Sequence, residues 1–343
     1  MKKVVVIGGG FAGTKIAKRL ENSFEVTLID TKDYFEFTPG ILRTVVEPFH
    51  IKKIQILHKS YLKNSNIIRG SVKNISKNKI YVNNKIVKFD YLAICSGSNY
   101  KNHFKDSNII LADRIKNFQR YHNLLIKSKN ILIIGGGLVG VELAGEISTK
   151  YPKKEITIIH SKNKLIERNP KSASDYAEKF LKKRGVEILY NNYILKKEKN
   201  KLFTKKGDIL NVDLVFLCTG INPNSKFLNQ NLLNKQKQII VNENLQVKGY
   251  KNIFAAGDIN DILIEKTAQN AEKQANMVIK NIKALESSKK LLIYNHKKTP
   301  LVISLGKYSG IFIWNNFVFT GFIPGLLKNL IEFFEIFKIK YLR

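Results

Sequence analysis

Two glycine-rich stretches are the residues best suited to chemistry in this chain of 343 residues. Gly8-Gly9-Gly10-Phe11-Ala12-Gly13 and, 127 residues later, Gly135-Gly136-Gly137-Leu138-Val139-Gly140 each spell G-x-G-x-x-G. In such a loop the first glycine allows a tight turn, the second lets a pyrophosphate approach the backbone, and the third lets helix and strand pack closely. The helix N-terminus that follows offers unpaired N–H groups and a positive dipole end to phosphates. One such motif is weak evidence, but its required context, a strand before and a helix after, occurs here twice. Seventeen residues past Gly13 the next strand ends at Asp30, where a carboxylate can bind a ribose diol. Unit one therefore reads as an adenine-dinucleotide site. The second copy ends in His160-Ser161-Lys162-Asn163-Lys164, with no carboxylate to hold a diol or repel a 2′-phosphate. NADPH should be tolerated there and even preferred; the alternative is that backbone or Ser161 holds the 2′-hydroxyl and NADH is used.

The elements that must position these loops are legible from periodicity. Val4 to Ile7 and Ile131 to Ile134 are buried strands, Thr14 to Glu21 and Val141 to Lys150 helices, and Phe24 to Asp30 and Glu155 to His160 second strands. A further self-match sets Asp90 to Gly97 against Asp213 to Gly220. It puts Ser96-Gly97 and Thr219-Gly220 in small-residue turns, and Cys95 and Cys218 at equivalent strand positions, where they read as small buried hydrophobes. A late apolar strand, Asn252 to Ala256, closes on Gly257-Asp258. Segments Lys196 to Lys206 and Ser287 to Lys290 read as solvated turns or linkers.

Composition narrows the chemistry. Hydrophobic residues at 44% and charged residues at 25% are globular values, and no apolar run approaches the roughly 18 residues of a spanning helix. Two cysteines exclude a disulfide scaffold and a Cys-rich metal site, and the histidines lack ligand spacing, so no metal is expected. Redox chemistry must then use a bound cofactor. The formal charge of +32 biases encounters toward anionic lipid, nucleic acid or phosphorylated cofactors. Lysine is spread along the whole chain and there are eight arginines, which argues against groove reading and makes a nucleic-acid partner a poor expectation. Met1-Lys2-Lys3 runs straight into the first strand, leaving no room for a signal peptide. The expectation is a cytoplasmic, reducing location.

This order, two G-x-G-x-x-G units and a late Ala-Gly-Asp, resembles the two-dinucleotide-binding flavoproteins related to glutathione reductase over essentially the whole chain. The resemblance implies an α/β fold of two Rossmann-like domains, with FAD on unit one and NADH or NADPH on unit two. It also implies that Asp258 holds the ribityl and phosphate region. Gly137 to Glu146 looks like the pattern of type II NADH:quinone oxidoreductases and apoptosis-inducing-factor-like proteins. Narrower still, Asp33-Tyr34-Phe35-Glu36-Phe37-Thr38-Pro39 with Leu42-Arg43, Val46-Glu47-Pro48, Tyr151-Pro152-Lys153-Lys154-Glu155 and Ile159-His160-Ser161 is similar to the ferroptosis-suppressor type of quinone reductase. By that likeness Arg43 and Val72 touch FAD, while Glu142 and Lys266 are the catalytic pair at the nicotinamide and quinone end of the flavin. For Arg43 and Lys266 the alternative is a solvated surface charge.

Disulfide reductases of this kind need a Cys-x4-Cys pair a few tens of residues after Gly13, and Asp30 to Arg69 contains no cysteine. Electrons must leave the flavin directly, either to a quinone or to a protein carrier. Beyond two candidate strands, Leu301 to Leu305 and Gly310 to Val318, a helix from Leu326 to Tyr341 carries Leu326, Leu330, Phe333, Phe337 and Tyr341 as one apolar stripe. Leu327, Ile331 and Phe334 widen it. The stripe, with Lys328, Lys338, Lys340 and Arg343, fits a helix lying in a lipid interface; packing on the protein's own core or in a homodimer is the alternative. The expectation is an FAD-dependent NAD(P)H:quinone oxidoreductase, peripherally membrane-associated, with hydride passing from NAD(P)H to flavin and two electrons on to quinone. The domains expected are 1–112 with 226–295 for FAD, 113–225 for NAD(P)H, and 296–343 as the acceptor and membrane element. Two alternatives stay open: a reductase of a ferredoxin- or rubredoxin-like protein, and a basic redox-sensitive flavoprotein that binds nucleic acid.

Overall fold

The computed structural model describes residues 1–100, 109–111, 118–198 and 201–342. Expected features at His103, at Arg343 and at the 112/113 boundary lie outside them. The first half contains β1 (Lys3–Ile7), α1 (Phe11–Leu20), β2 (Glu25–Asp30), α2 (Ile41–Val46), β3 (Asn66–Arg69) and β4 (Tyr91–Ile94). The second contains β5 (Ile109–Leu111), β6 (Asn130–Ile134), α3 (Leu138–Lys150), β7 (Glu155–His160), β8 (Val186–Tyr190) and β9 (Leu214–Leu217). Then come β10 (Ile253–Ala255), α4 (Ala268–Glu286), the strands β11 (Leu301–Ser304), β12 (Gly310–Trp314) and β13 (Phe317–Gly321), and α5 (Phe322–Tyr341).

Two five-stranded parallel sheets result, ordered β10-β4-β1-β2-β3 and β5-β9-β6-β7-β8. The β-branched runs Val4 to Ile7 and Ile131 to Ile133 occupy the central strand of each and are at most 5% exposed. Strands covered on both faces have no polar side to present, which is why these runs do not alternate. α1 packs on α4, and its third glycine is obligatory: a Cβ on Gly13 would sit 1.8 Å from the carbonyl oxygen of Gly8, and one on Gly140 would sit 1.9 Å from that of Gly135. Behind the two small-residue turns, Ser98–Tyr100 pairs antiparallel with Ile221–Pro223 and ties the halves together.

The expected elements hold, with four corrections. Both loop helices start at the fourth residue of their glycine motif, Phe11 and Leu138, rather than after its last glycine. Lys196 to Lys206 is no linker; it falls in an antiparallel pair, Ile194–Glu198 with Lys201–Thr204, whose buried Leu202 gives it a core face. The expected strand Gly310 to Val318 is a hairpin, β12 and β13, turning at Asn315-Asn316, where Asn315 takes φ 54, a conformation asparagine tolerates. α5 begins at Phe322, so Pro324 lies in its first turn, where the missing N–H costs no helical bond. β11 lies against α3, where a Cβ at Gly145 would meet Leu305 Cα at 2.9 Å, and the three strands pack on α5.

Candidate functional site

The loop after β1 opens onto a cavity of about 470 Å³. Gly8 to Ala12, Asp30, Val72, Ser96, Gly97, Gly257, Asp258 and Lys266 line it, so the structure brings together residues that the sequence scatters over more than 250 positions. Gly13 and Arg43 are not among the lining residues. Helix α1 has no side-chain cap among the described residues, and its first helical bond runs from the Thr14 N–H to Gly10. The N–H groups of Phe11 and Ala12 are thus free of helical partners at the cavity wall. A Cβ at Gly10 would meet nothing within 4 Å, which leaves room for a bulky anion. These features fit a dinucleotide pyrophosphate.

Asp30 is held in place from behind. Its Oδ2 accepts the Gly9 N–H at 2.5 Å and its Oδ1 accepts the Lys32 N–H at 2.9 Å. Burial pushes its carboxyl up, but His58, the Lys32 N–H and the Lys32 charge outweigh this and hold it below its usual value, so it stays ionised. Sequence reading missed the support beneath it: fully buried His58, with Nε2 at 3.7 Å from Asp30 and Nδ1 at 2.5 Å from Tyr61 Oη, which in turn meets Thr14 Oγ1 at 2.9 Å. Only the helical i, i+3 spacing of His58 and Tyr61 hinted at it.

Across the cavity Asp258 accepts from Ser98 Oγ at 2.9 Å, and burial raises its carboxyl. Lys266 donates to the carbonyls of Asn260 at 2.8 Å and Ile262 at 3.0 Å; burial lowers its ammonium, against the pull of Asp258 and Asp261. Gln274 on α4, fully buried, accepts from the Gly257 N–H at 2.7 Å and fixes that turn. Cys95 lies in the wall, and Cys218 occupies the matching place in the other sheet; burial pushes both thiols up to about 12. Neither supplies a thiolate at neutral pH.

The second loop has the same construction. Gly135 takes φ 112, and α3 likewise lacks a side-chain cap among the described residues. Thr219 and Gly220 follow β9 as Ser96 and Gly97 follow β4, with Gly97 and Gly220 at φ 63 and φ 60. His160 occupies the strand-end place that Asp30 fills in unit one: its Nδ1 accepts the Gly136 N–H at 3.1 Å. A carboxylate does reach this point, since Glu167 lies 3.5 Å from His160 Nε2.

Glu142 lies one helical turn into α3, outside the cavity lining, with Oε1 accepting from Ser304 N at 2.9 Å, Ser304 Oγ at 3.2 Å and Lys328 Nζ at 2.9 Å. One turn on, buried Glu146 receives Arg43 at 3.4 Å, and Arg43 also donates to Asn329 at 2.7 Å. One polar network therefore joins α2, α3, β11 and α5. The charged side of α5 faces inward. Lys328 and Lys338, expected at lipid headgroups, instead pair with Glu142 and with Glu272 and Glu335. The apolar stripe faces out: Leu330, Phe333, Phe334 and Tyr341 are 51–68% exposed, and Phe333 stacks on Phe337 at 6.3 Å. Trp314, Phe317 and Phe322 are also more than half exposed. No helix among the described residues is long and apolar enough to cross a membrane.

Comparison with known proteins adds three kinds of likeness. A family model described as pyridine nucleotide-disulphide oxidoreductase matches residues 2–275. Apoptosis-inducing factor homolog A of Dictyostelium discoideum is 37% identical, covering 96% of this chain and 89% of the relative. Ferroptosis suppressor protein 1 of Taeniopygia guttata is 32% identical, covering 90% and 87%. Among solved structures, that of NDH2 from Plasmodium falciparum in complex with NADH superposes with a TM-score of 0.84 at 16% identity, covering 99% of this chain and 98% of that one. This last likeness is one of fold.

Proposed function

Because the chain belongs to the pyridine nucleotide-disulphide oxidoreductase family and is an FAD-dependent NAD(P)H dehydrogenase, we propose that it reduces a quinone taken from a lipid surface. The family's name includes a disulphide, but this chain has no cysteine between Asp30 and Arg69 to serve as one. Its two buried thiols lie in different sheets. A bound flavin can accept a hydride from a nicotinamide and return two electrons to a second substrate. The chain's own residues bind, orient and exclude water.

The uncapped start of α1 with Gly10 binds the FAD pyrophosphate, Asp30 the adenosine ribose, and Val72, Ser96, Gly97, Gly257 and Asp258 line the remainder of the flavin's path. Arg43, which the resemblance puts at FAD, stands outside the cavity lining and ties α2 to α3 through Glu146. The uncapped start of α3 with Gly135, Gly137, Leu138, Val139 and Gly140 receives NAD(P)H, with Thr219 and Gly220 as the facing turn. Glu142 orients the nicotinamide, and Lys266 places a cation at the cavity wall where an anionic oxygen develops. The domain limits we assign are 1–112 with 226–295, 113–225, and 296–343.

The observation that carries the acceptor assignment is the inverted C-terminal helix. Lys328 and Lys338 pair with Glu142 and Glu272 of the protein body, while Phe333 and Phe337 on the helix and Trp314 and Phe317 on the hairpin stand exposed. Such a face at the water interface of a bilayer is stable, and a contiguous apolar patch on a soluble surface marks an interaction site. Glu332, on the inward face of the same helix, lies against Gly40, two residues from the cavity-lining Thr38, so the helix sits beside the segment that closes the cavity. The test compares a short-chain soluble quinone with a long-chain quinone in liposomes, for the natural chain and for the double substitution Phe333→Asp, Phe337→Asp. The expected outcome is that the variant keeps the soluble activity, loses flotation with liposomes, and loses at least about tenfold with the embedded quinone. Equal activity on the embedded quinone contradicts the lipid route.

A further inference from the structure

The two glycine-rich loops share a hydrogen bond but differ in what receives it. In unit one the middle glycine, Gly9, donates to the carboxylate of Asp30; in unit two its counterpart Gly136 donates to the imidazole of His160. Since Nδ1 accepts, the proton of a neutral ring belongs on Nε2. Burial lowers the pKa of His160 and so preserves that neutral form. Nε2 is itself buried without a hydrogen-bond partner, and the nearest carboxylate, Glu167 Oε2, stands 3.5 Å away and one-third exposed.

Glu167 comes to this point through a turn that is costly to make. Ile166, β-branched, adopts φ 42, in the left-handed region that such residues rarely enter. Strain of this sort costs on the order of 1–3 kcal/mol and persists only where the surroundings enforce it. Here they do: the Ile166 N–H donates to the Gly136 carbonyl at 2.8 Å, and its side chain is 2% exposed. Both backbone groups of the middle glycine are thus engaged, one by the end of β7 and one by the loop after it. That loop carries a carboxylate to the place where unit one has its strand-end acid.

We propose that Glu167 reads the 2′ position of the coenzyme, accepting from the adenosine ribose hydroxyls of NADH and repelling the 2′-phosphate of NADPH. This rests on the assignment of the second loop to NAD(P)H. Exposed Lys162 and Arg168 flank it. With Glu167 neutralised, those cations turn the same edge into an attractive one for phosphate. The site therefore favours NADH because of one side chain seven residues beyond the strand end.

The experiment measures dissociation constants of NADH and NADPH by calorimetry on the FAD-loaded full chain, alongside kcat/KM for each, in the natural protein and in Glu167→Gln and Glu167→Lys. The natural chain should bind NADH at least about tenfold more tightly than NADPH, the size of a partly screened charge contact. Glu167→Gln should tighten NADPH about tenfold while changing NADH less than about threefold, and Glu167→Lys should reverse the preference. An NADPH-to-NADH ratio that is the same in all three proteins overturns the proposal, as does a natural chain that prefers NADPH. Failure of both coenzymes to bind any of the three overturns it together with the assignment of the loop, and is distinguishable from a mere loss of selectivity.

Discussion

The anchoring role of Glu142 and its proposed role at the nicotinamide can be separated by substitution. Its carboxylate accepts from Ser304 and Lys328, so it anchors the C-terminal element, and it lies on the helix that opens at the coenzyme loop. Glu142→Ala should lower NAD(P)H-dependent flavin reduction at least about tenfold with FAD content unchanged, the size of a lost orienting contact. Lys328→Met leaves Ser304 to satisfy the carboxylate and should change that rate less than threefold, at a stability cost of about 2 kcal/mol. Stopped-flow flavin reduction and denaturant titration check both; loss of FAD from Glu142→Ala would show that the residue supports the other site. Gly13→Ala should release FAD and destabilise by more than about 3 kcal/mol, because the added methyl meets a backbone carbonyl that cannot move aside. At this scale the glycines and Asp30 were legible, since backbone geometry fixes their spacing. Glu167 was not: the strand-end rule looks for the acid on the strand, and propensity argues against a left-handed isoleucine turn that would bring one back.

The C-terminal helix is held by charge on the face that touches the protein. Burial pushes the Glu272 carboxyl up, but the ammonium groups of Lys15 and Lys338, at 2.8 and 2.7 Å, outweigh it and hold the group below its usual value. A depressed carboxyl contributes stability that is present above its unfolded value, about 4.3, and is lost as pH falls through the folded one. Amide protection over 322–341, taken relative to the intrinsic exchange rate at each pH, should therefore be high at pH 7 and fall below about pH 4 before the sheets open. Substituting Glu272→Gln should leave protection there low at both pH values. The helix and its stripe were legible in the 3.6-residue period, but its orientation was not. A lysine beside an apolar stripe suits lipid headgroups or buried acids equally well until Glu142 and Glu272, 186 and 66 residues away, come into contact with it.

The molecule as a whole is a duplicated scaffold with an asymmetric end. Both sheets place the glycine-bearing strand in the middle with the same neighbours, and the second half repeats the first closely enough that their helices and turns correspond. That much was written in the sequence as a repeat, because a β-branched run followed by G-x-G-x-x-G admits few other structures. What breaks the symmetry is chemistry carried by long-range contact: Asp30 against His160 with Glu167, and an open cavity in one half against a helix-clamped carboxylate in the other. The net charge of +32 adds attraction to anionic lipid around the exposed aromatic face, so liposome binding should weaken as salt rises but persist in part through apolar burial. The most direct test of the account is steady-state oxidation of NADH by the FAD-loaded full chain, followed at the nicotinamide band with and without a short-chain quinone under anaerobic conditions. The account predicts turnover that depends on quinone and is unaffected by thiol-blocking reagents. Flavin reduced by NADH but not reoxidised by quinone would contradict it.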